Sequence, residues 1–268
     1  MLKHILPLVP PHKTYVEVFG GAAALLFALP DGGIQVYNDI DSAVVNVFRV
    51  VRDKEKLADL ERLLRLTPFS REESKENFLT KNEKETDVER AAAWLHAVYT
   101  TFGGRTGTWS FAAEKTILSR EISKGISPYL NMIDRLQEIA TRLLSVQIEH
   151  DDFKTVIKRW DSPDTFFFLD PPYVLETWTE NLYVNEMKMR DNMELIKLCT
   201  QMQGTALYCG YPHYVHRQLE EAGWERREFE LRQMTNMIVS EDQKQRTEAI
   251  WIHPRILAQF QSLPSIQS

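Results

Sequence analysis

Apolar and polar positions change period along the chain, and the changes mark its elements. From Tyr15 to Phe19 a short β-favouring run stops at Gly20-Gly21, and the small and apolar series Ala22 to Leu29 follows, which predicts strand, tight turn, helix. A second strand is predicted from Ile34 to Tyr37, ending at Asn38-Asp39. Between Ser42 and Leu66 apolar residues recur at helical spacing, with a break signal at Asp53-Lys54, so this is one long helix or two. Ser70 to about Lys84 reads as a charged helix and Val88 to Phe102 as an amphipathic one. Gly103 to Ala113 has neither period and reads as a loop. Ser127-Pro128 is a helix start, with Ser127 as N-cap and Pro128 at the first helical position, and a helix is predicted through Leu144.

The second half alternates regularly. Strands Val146 to Glu149, Phe166 to Leu169 and Thr205 to Cys209 are each followed by a helix: Phe153 to Trp160, Asn192 to Met202 and His213 to Glu221. Such alternation predicts parallel strands with crossover helices. Two β-rich runs, Trp224 to Leu231 and Glu248 to Ile252, read as an antiparallel pair at a sheet edge. The chain thus divides into an α/β core made of residues 1–67 and 145–254, a helical insert at 68–144, and a peripheral tail at 255–268.

Composition narrows this picture without redirecting it. The 268 residues, 43% hydrophobic and 26% charged, are enough for one generous α/β domain and are of ordinary globular composition. No apolar run approaches the roughly 20 residues of a membrane span. The start carries Lys3 and His4 without a long apolar stretch, so no secretory signal is expected and a cytoplasmic protein is. Cys199 and Cys209 fall in helical and strand patterns and read as buried thiols. The net charge of −6 argues against a protein that coats nucleic acid, because nonspecific affinity comes from cations neutralising phosphates. A locally basic face is compatible with it.

The chemistry concentrates where an apolar strand meets an unusual turn. Phe166 to Leu169 run directly into Asp170-Pro171-Pro172-Tyr173. In open α/β sheets ligands bind at the carboxyl ends of strands, which is where this tetrad falls. The prolines restrict φ and remove backbone donors, which fixes the direction of Asp170 and leaves the Pro171 carbonyl as a pure acceptor. An aromatic amine is a poor nucleophile because its lone pair is delocalised into the ring. Two acceptors, the Asp170 carboxylate and the Pro171 carbonyl, can each take one amino hydrogen and turn the lone pair towards an electrophilic methyl group. Tyr173 can stack on the base, a contact worth about 1–3 kcal/mol in single-stranded systems.

Two further segments point to a nucleoside-bearing cofactor. In Glu17-Val18-Phe19-Gly20-Gly21-Ala22, small residues between strand and helix let a backbone approach a ligand, although a ligand-free turn fits the segment equally well when taken alone. Asp39 ends the next strand about 20 residues on, the spacing at which an acid can bond a ribose hydroxyl. Asp151-Asp152-Phe153 offers an acid and an aromatic face for a purine; a plain helix cap explains it as well. The phosphate-binding GxxxxGK[ST] pattern is absent, and the histidines read as surface or helix residues rather than ligands, with no metal required.

With these motifs in order, the sequence resembles the Dam-type DNA adenine methyltransferases. The resemblance covers His12 to Ile252. It rests on YVEVFGG (Tyr15 to Gly21), YNDID (Tyr37 to Asp41), TTFGG (Thr100 to Gly104), VQIEHDDF (Val146 to Phe153), FLDPPY (Phe168 to Tyr173) and RTEAIWI (Arg246 to Ile252). It implies a Rossmann-like S-adenosylmethionine-dependent methyltransferase core carrying a helical DNA-recognition insert, and double-stranded DNA as substrate. By this resemblance Asp170, Pro171, Pro172 and Tyr173 are catalytic, and Glu17, Phe19, Gly20, Gly21, Ala22, Asp39, Asp152, Phe153 and Asp170 line the cofactor site. Members of the family place a GGK-like motif ahead of the segment equivalent to Leu2 to Pro10; the sequence starts at Met1 and does not contain it.

Around the Gly-rich loop, Arg105, Lys115, Arg120 and Lys124 are interleaved with Trp109 and Phe111, a composition suited to phosphate contacts and a wedge beside a flipped base. Solvated charges with core aromatics describe it equally well. Glu176 to Arg190, with Trp178 and Tyr183, reads as a lid. The alternatives to a DNA adenine-N6 methyltransferase are an amino-group methyltransferase acting on RNA or protein, and a catalytically silent DNA-binding relative.

Overall fold

The computed structural model describes residues 2–80, 84–100, 118–119, 122–123, 126–172, 187–232 and 245–261. In chain order the elements are α1 (Leu2–Ile5), β1 (Thr14–Glu17), α2 (Ala24–Ala28), β2 (Ile34–Asn38), α3 (Ser42–Val51), α4 (Lys54–Leu66), α5 (Arg71–Thr80), α6 (Asp87–Thr100), β3 (Leu118–Ser119), β4 (Ile122–Ser123), α7 (Ser127–Asp134), α8 (Leu136–Leu143), β5 (Val146–Glu149), α9 (Phe153–Trp160), β6 (Thr165–Leu169), α10 (Met189–Gln201), β7 (Thr205–Gly210), α11 (Arg217–Glu221), β8 (Glu225–Arg232), β9 (Gln245–Ile252) and α12 (Pro254–Gln261). Short 3-10 turns occupy Leu6–Leu8 and Tyr214–His216.

They form two compact units. One holds Met1–Ile40 with the described residues of Gln147–Asn181 and Asn185–Ser268. Its centre is a seven-stranded sheet of order β5-β2-β1-β6-β7-β9-β8, in which β2, β1, β6 and β7 pair in parallel and β9 and β8 are added antiparallel. This is the α/β arrangement the alternation predicted, with the antiparallel pair at the edge. Strands β1, β6 and β7 are buried along their whole length, as expected of parallel strands covered on both faces. Val16 on β1 with Val18 just beyond it, Phe167 and Leu169 on β6, Ala206 and Tyr208 on β7 and Ala249 and Trp251 on β9 pack on one face with Phe153, Val156, Ile157, Leu195, Ile196 and Leu219 from α9, α10 and α11. Residues of opposite parity, such as Tyr15, Glu17, Phe166, Phe168 and Cys209, fall on the other face by the pleat.

The second unit, within Asp41–Val146, is helical. Helices α3 and α4, which the sequence attaches to the core, pack here with α6, α7 and α8, burying Val44, Val47, Phe48 and Val51 of α3 and Leu57, Leu60 and Leu64 of α4. Asp53 interrupts the predicted 42–66 run. Its φ of −95° and ψ of 119° are extended, and its carboxylate accepts from the backbone N–H groups of Glu55 and Lys56, so it ends one helix and caps the next. The Tyr129 hydroxyl donates to the Leu64 carbonyl at 2.8 Å, and the buried His96 bonds Asn77 and the Pro68 carbonyl.

Several boundaries differ from the sequence expectation. The helix predicted through Leu144 is two, α7 and α8, because Arg135 leaves helical geometry at φ −99°, ψ 0°. The N-cap of α7 is Ile126 rather than Ser127, one residue early. Part of the tail is helix α12, which sinks Ile256 completely. His216, read as a surface or helix residue, lies in the 3-10 turn as a helical residue but is buried, its ring tilted against that of Trp251 with centroids 4.3 Å apart. Both cysteines are free and buried, as read. No helix among the described residues is long and apolar enough to cross a membrane.

Candidate active site

The order of the sheet decides where a site can form. From β1 the chain moves by α2 to β2 on one side, whereas from β6 it moves by α10 to β7 on the other. The carboxyl ends of β1 and β6 are therefore adjacent at the point where the direction of winding reverses, the position at which open α/β sheets take ligands. The register Glu17↔Phe168, continued by the Val18 N–H donating to the Phe168 carbonyl at 3.2 Å, sets Phe19 level with Asp170. The glycine segment and the Asp-Pro-Pro segment, about 150 residues apart in sequence, are neighbours here.

The turn after β1 is held from several directions. The Gly20 N–H donates to the Asn38 carbonyl at 2.8 Å, and the Ala23 N–H donates to the Gly20 carbonyl at 2.7 Å. The Gly21 N–H donates to Asp39 Oδ2 at 2.7 Å, and its carbonyl accepts from the Tyr37 hydroxyl at 2.8 Å. Gly20 must be glycine, since a Cβ there would lie 2.0 Å from Tyr37 Cε2. Gly21 takes φ +47°, a left-handed value that glycine adopts without a Cβ penalty, and a Cβ built on it meets nothing within 4 Å. The outer side of the turn is thus open, and a ligand can come against its backbone. Ala22 is exposed beside it.

Beneath this turn lies Glu17, only 2% exposed. Its Oε2 accepts from the Tyr15 hydroxyl at 2.7 Å and from the Leu26 N–H at 3.0 Å. Burial pushes its carboxyl up to about 8, against those two bonds, with the charges of Asp170 and Asp39 adding to the rise. It therefore holds a proton at neutral pH.

On the other flank Asn38 joins β1, β2 and the segment after β5. Its amide donates to the carbonyls of Val18 at 2.9 Å and Asp151 at 3.1 Å and accepts from the Asp151 N–H at 2.9 Å. Asp152 caps α9 through the Lys154 N–H, with its side chain exposed. Phe153 is buried, its ring 5.8 Å from that of Phe19. Phe19 and Asp39 adjoin the glycine turn and Phe153 meets Phe19, an aromatic pair and a carboxylate beside an open backbone, with Asp152 at the head of α9. That set fits a nucleoside-bearing cofactor.

At the end of β6 Asp170 is exposed, Pro171 buried and Pro172 half-buried. Tyr173, the DNA-contact candidates Arg105, Trp109, Lys115, Arg120 and Lys124, and Trp178 and Tyr183 of the predicted lid lie outside the described residues. The structure also adds residues that sequence reading passed over. Tyr37 and Asn38 stand directly before Asp39, and that adjacency was the only signal for them. Glu248, within the RTEAIWI segment, is half-buried on β9, and its carboxyl is held above the usual range by burial and by the charge of Asp170. Among the described residues no group of His, Cys, Asp and Glu is placed to hold a metal ion.

No curated protein matches the chain. A family model described as D12 class N6 adenine-specific DNA methyltransferase matches residues 1–221, from before β1 to the end of α11, and so takes in both strand ends and the helical unit between them. With the Gly-rich turn and the Asp-Pro-Pro turn side by side at the switch point, the chain belongs to the D12 class N6 adenine-specific DNA methyltransferase family, the S-adenosylmethionine-dependent DNA adenine methyltransferases.

Proposed function

We propose that this enzyme methylates N6 of an adenine flipped out of double-stranded DNA, with the methyl donor held by the turn after β1 and the base held by the turn after β6. The observation that supports this most is the juxtaposition of those two turns at adjacent strand ends. On the cofactor side, Phe19, Gly20, Gly21, Ala22, Asp39, Asp152, Phe153 and Asp170 line the site, and Glu17 braces the turn from below. When bound, S-adenosylmethionine supplies an electrophilic methyl group.

The chain's own residues do the orienting. The Asp170 carboxylate and the Pro171 carbonyl each accept one N6 hydrogen, which turns the nitrogen lone pair out of the ring's conjugation and towards the methyl carbon. Pro171 and Pro172 stiffen that arrangement, and Tyr173 stacks on the base. Holding nucleophile and methyl carbon in line supplies much of the acceleration. Adenine presents N6 in this way only outside the helix stack, so the reaction includes base flipping. We assign DNA contact to Arg105, Trp109, Lys115, Arg120 and Lys124 in the helical insert at 68–144.

The test is methyl incorporation from radiolabelled S-adenosylmethionine into mixed-sequence DNA, followed by digestion to nucleosides. Labelled N6-methyladenine is expected, and Asp170→Ala should reduce it about a hundred- to a thousandfold, as loss of a transition-state contact does, while largely sparing cofactor binding. Label in RNA or protein instead of DNA, or turnover retained by the variant, would overturn the reading.

A further inference from the structure

One buried side chain spans the two segments from which the proposed cofactor site is built. The strand order β5-β2-β1 puts the end of β2 between the ends of β1 and β5, and Asn38, 1% exposed, is the last residue of β2. Its amide nitrogen donates to the Val18 carbonyl at 2.9 Å on one side and to the Asp151 carbonyl at 3.1 Å on the other, and its amide oxygen accepts from the Asp151 N–H at 2.9 Å. Its backbone carbonyl takes the Gly20 N–H at 2.8 Å. A single residue thus ties the glycine turn to the segment leading into α9, past the point where the strands themselves end. A primary amide suits this place because it brings two donors and an acceptor on a short side chain. Buried, those bonds are costly to lose, since the two carbonyls are then left facing no donor.

The segment held in this way divides into an anchor and a part open to a ligand. Asp151 is fixed twice, its backbone by Asn38 and its carboxylate by Arg159 at 2.9 Å. Asp152, the next residue, is exposed and caps α9 through the Lys154 N–H, so it is the acid of the pair that a ligand can reach. Phe153 then meets Phe19, with ring centroids 5.8 Å apart. Asn38 is the polar tie between the two segments, and the Phe19–Phe153 pair is the apolar one.

We propose that Asn38 is a positioning residue for the nucleoside part of the cofactor: by joining Val18 to Asp151 it sets the spacing of Phe19 against Asp152 and Phe153, the residues read as holding that part. This rests on the cofactor site given above. Among the described residues its side-chain bonds run to Val18 and Asp151, both on the cofactor side, so Asn38 governs affinity for the nucleoside rather than methyl transfer at Asp170.

The experiment is calorimetric titration of the full chain with S-adenosylmethionine, S-adenosylhomocysteine and 5′-methylthioadenosine, in wild type, Asn38→Asp and Asn38→Ala. KM and kcat for N6-methyladenine formation and the melting temperature are measured alongside. Asn38→Asp keeps the shape of the side chain and the acceptor for the Asp151 N–H but not the amide donors. All three ligands share the nucleoside, and only the first two carry the amino acid. Each should lose affinity by the same factor, on the order of tenfold in Asn38→Asp and more in Asn38→Ala, because the loosened segment holds its binding-competent position only part of the time. KM for the cofactor should rise in step while kcat at saturation stays within about twofold, as when an interaction is made equally before and during transfer. Unchanged affinity, even with a lowered melting temperature, would overturn the proposal, as would a loss limited to the ligands that carry the amino acid, or a fall in kcat at constant KM. If neither variant folds, amide exchange in the wild type decides. The Asp151 N–H should be protected and should slow further with S-adenosylhomocysteine bound, and exchange indifferent to the ligand overturns the proposal. A wild type that binds none of the three ligands removes the cofactor reading as well, whereas a wild type that binds them no better than its Asn38 variants removes only this one.

Discussion

The two turns at the centre of the sheet are stiffened by different means. After β1 the chain is built from glycine and small residues, with no intrinsic rigidity, and its shape is imposed by neighbours: the Asn38 carbonyl, the Asp39 carboxylate, the Tyr37 hydroxyl and ring, and Glu17 beneath. After β6 the restraint is covalent, in the pyrrolidine rings of Pro171 and Pro172. The difference fits the roles proposed for the two turns. A turn that lets a cofactor approach its backbone must lack side chains, so its order has to come from outside. A turn that offers acceptors to an amino group gains from losing its own N–H donors, and proline removes them while fixing φ. One consequence is testable: damage to the first turn should spread into stability, whereas damage to the second should stay in the chemistry.

The sharpest break is Gly20→Ala. The added methyl would sit 2.0 Å from a ring carbon of Tyr37, which is fully buried and bonded through its hydroxyl to Gly21, so the clash cannot be relieved by swinging a free side chain. A stability loss of roughly 1–3 kcal/mol or more is expected by urea unfolding. Calorimetric titration should show S-adenosylmethionine affinity falling with it. Native-like stability and affinity would mean that the turn is not externally imposed.

Next in size is the pH response of Glu17. Its folded pKa of about 8 lies above the unfolded value near 4.5, so the stability tied to its proton is fully present below about 4.5 and is lost as pH rises through about 8. In Glu17→Gln that loss is absent. The variant should therefore gain on the wild type between pH 5 and 9, by an amount on the order of a few kcal/mol. Parallel stability curves across that range would show that the buried carboxyl is not the proton holder described.

The smallest effect belongs to Pro171→Ala. Releasing the backbone restriction that the ring imposes should change the unfolding free energy by about 0.4–1 kcal/mol. Turnover should fall by less than about tenfold, since the carbonyl acceptor survives while its direction loosens. A stability loss as large as that of Gly20→Ala would erase the contrast between the turns.

Sequence alone determined whatever depends on short-range pattern. Phe166 to Leu169 read as a strand that a sheet can bury and is one, the Gly20-Gly21 pair read as a tight turn after a strand and is one, and the order of the motifs carried the resemblance to the family. Asp53-Lys54 signalled a break in a run that the sequence left as one helix or two, and the structure makes it two, with Asp53 as the cap of the second. The interruption at Arg135 carried no such signal, because Arg is an ordinary helix former and only its surroundings take it out of helical geometry. Likewise α3 and α4 follow β2 directly in sequence, yet their apolar faces match those of α6, α7 and α8, and burial rather than proximity along the chain assigns them there.

What only the tertiary structure decided are the meetings across strands. Tyr37 closing over Gly20, Asn38 tying Val18 to Asp151, and Phe19 set level with Asp170 all arise from register between strands distant in sequence. Periodicity tells which residues of a strand share a face, but it holds no information on which strand lies alongside or at what stagger. Those are set by long-range packing of the sheet as a whole, and the chemistry of this site depends on them.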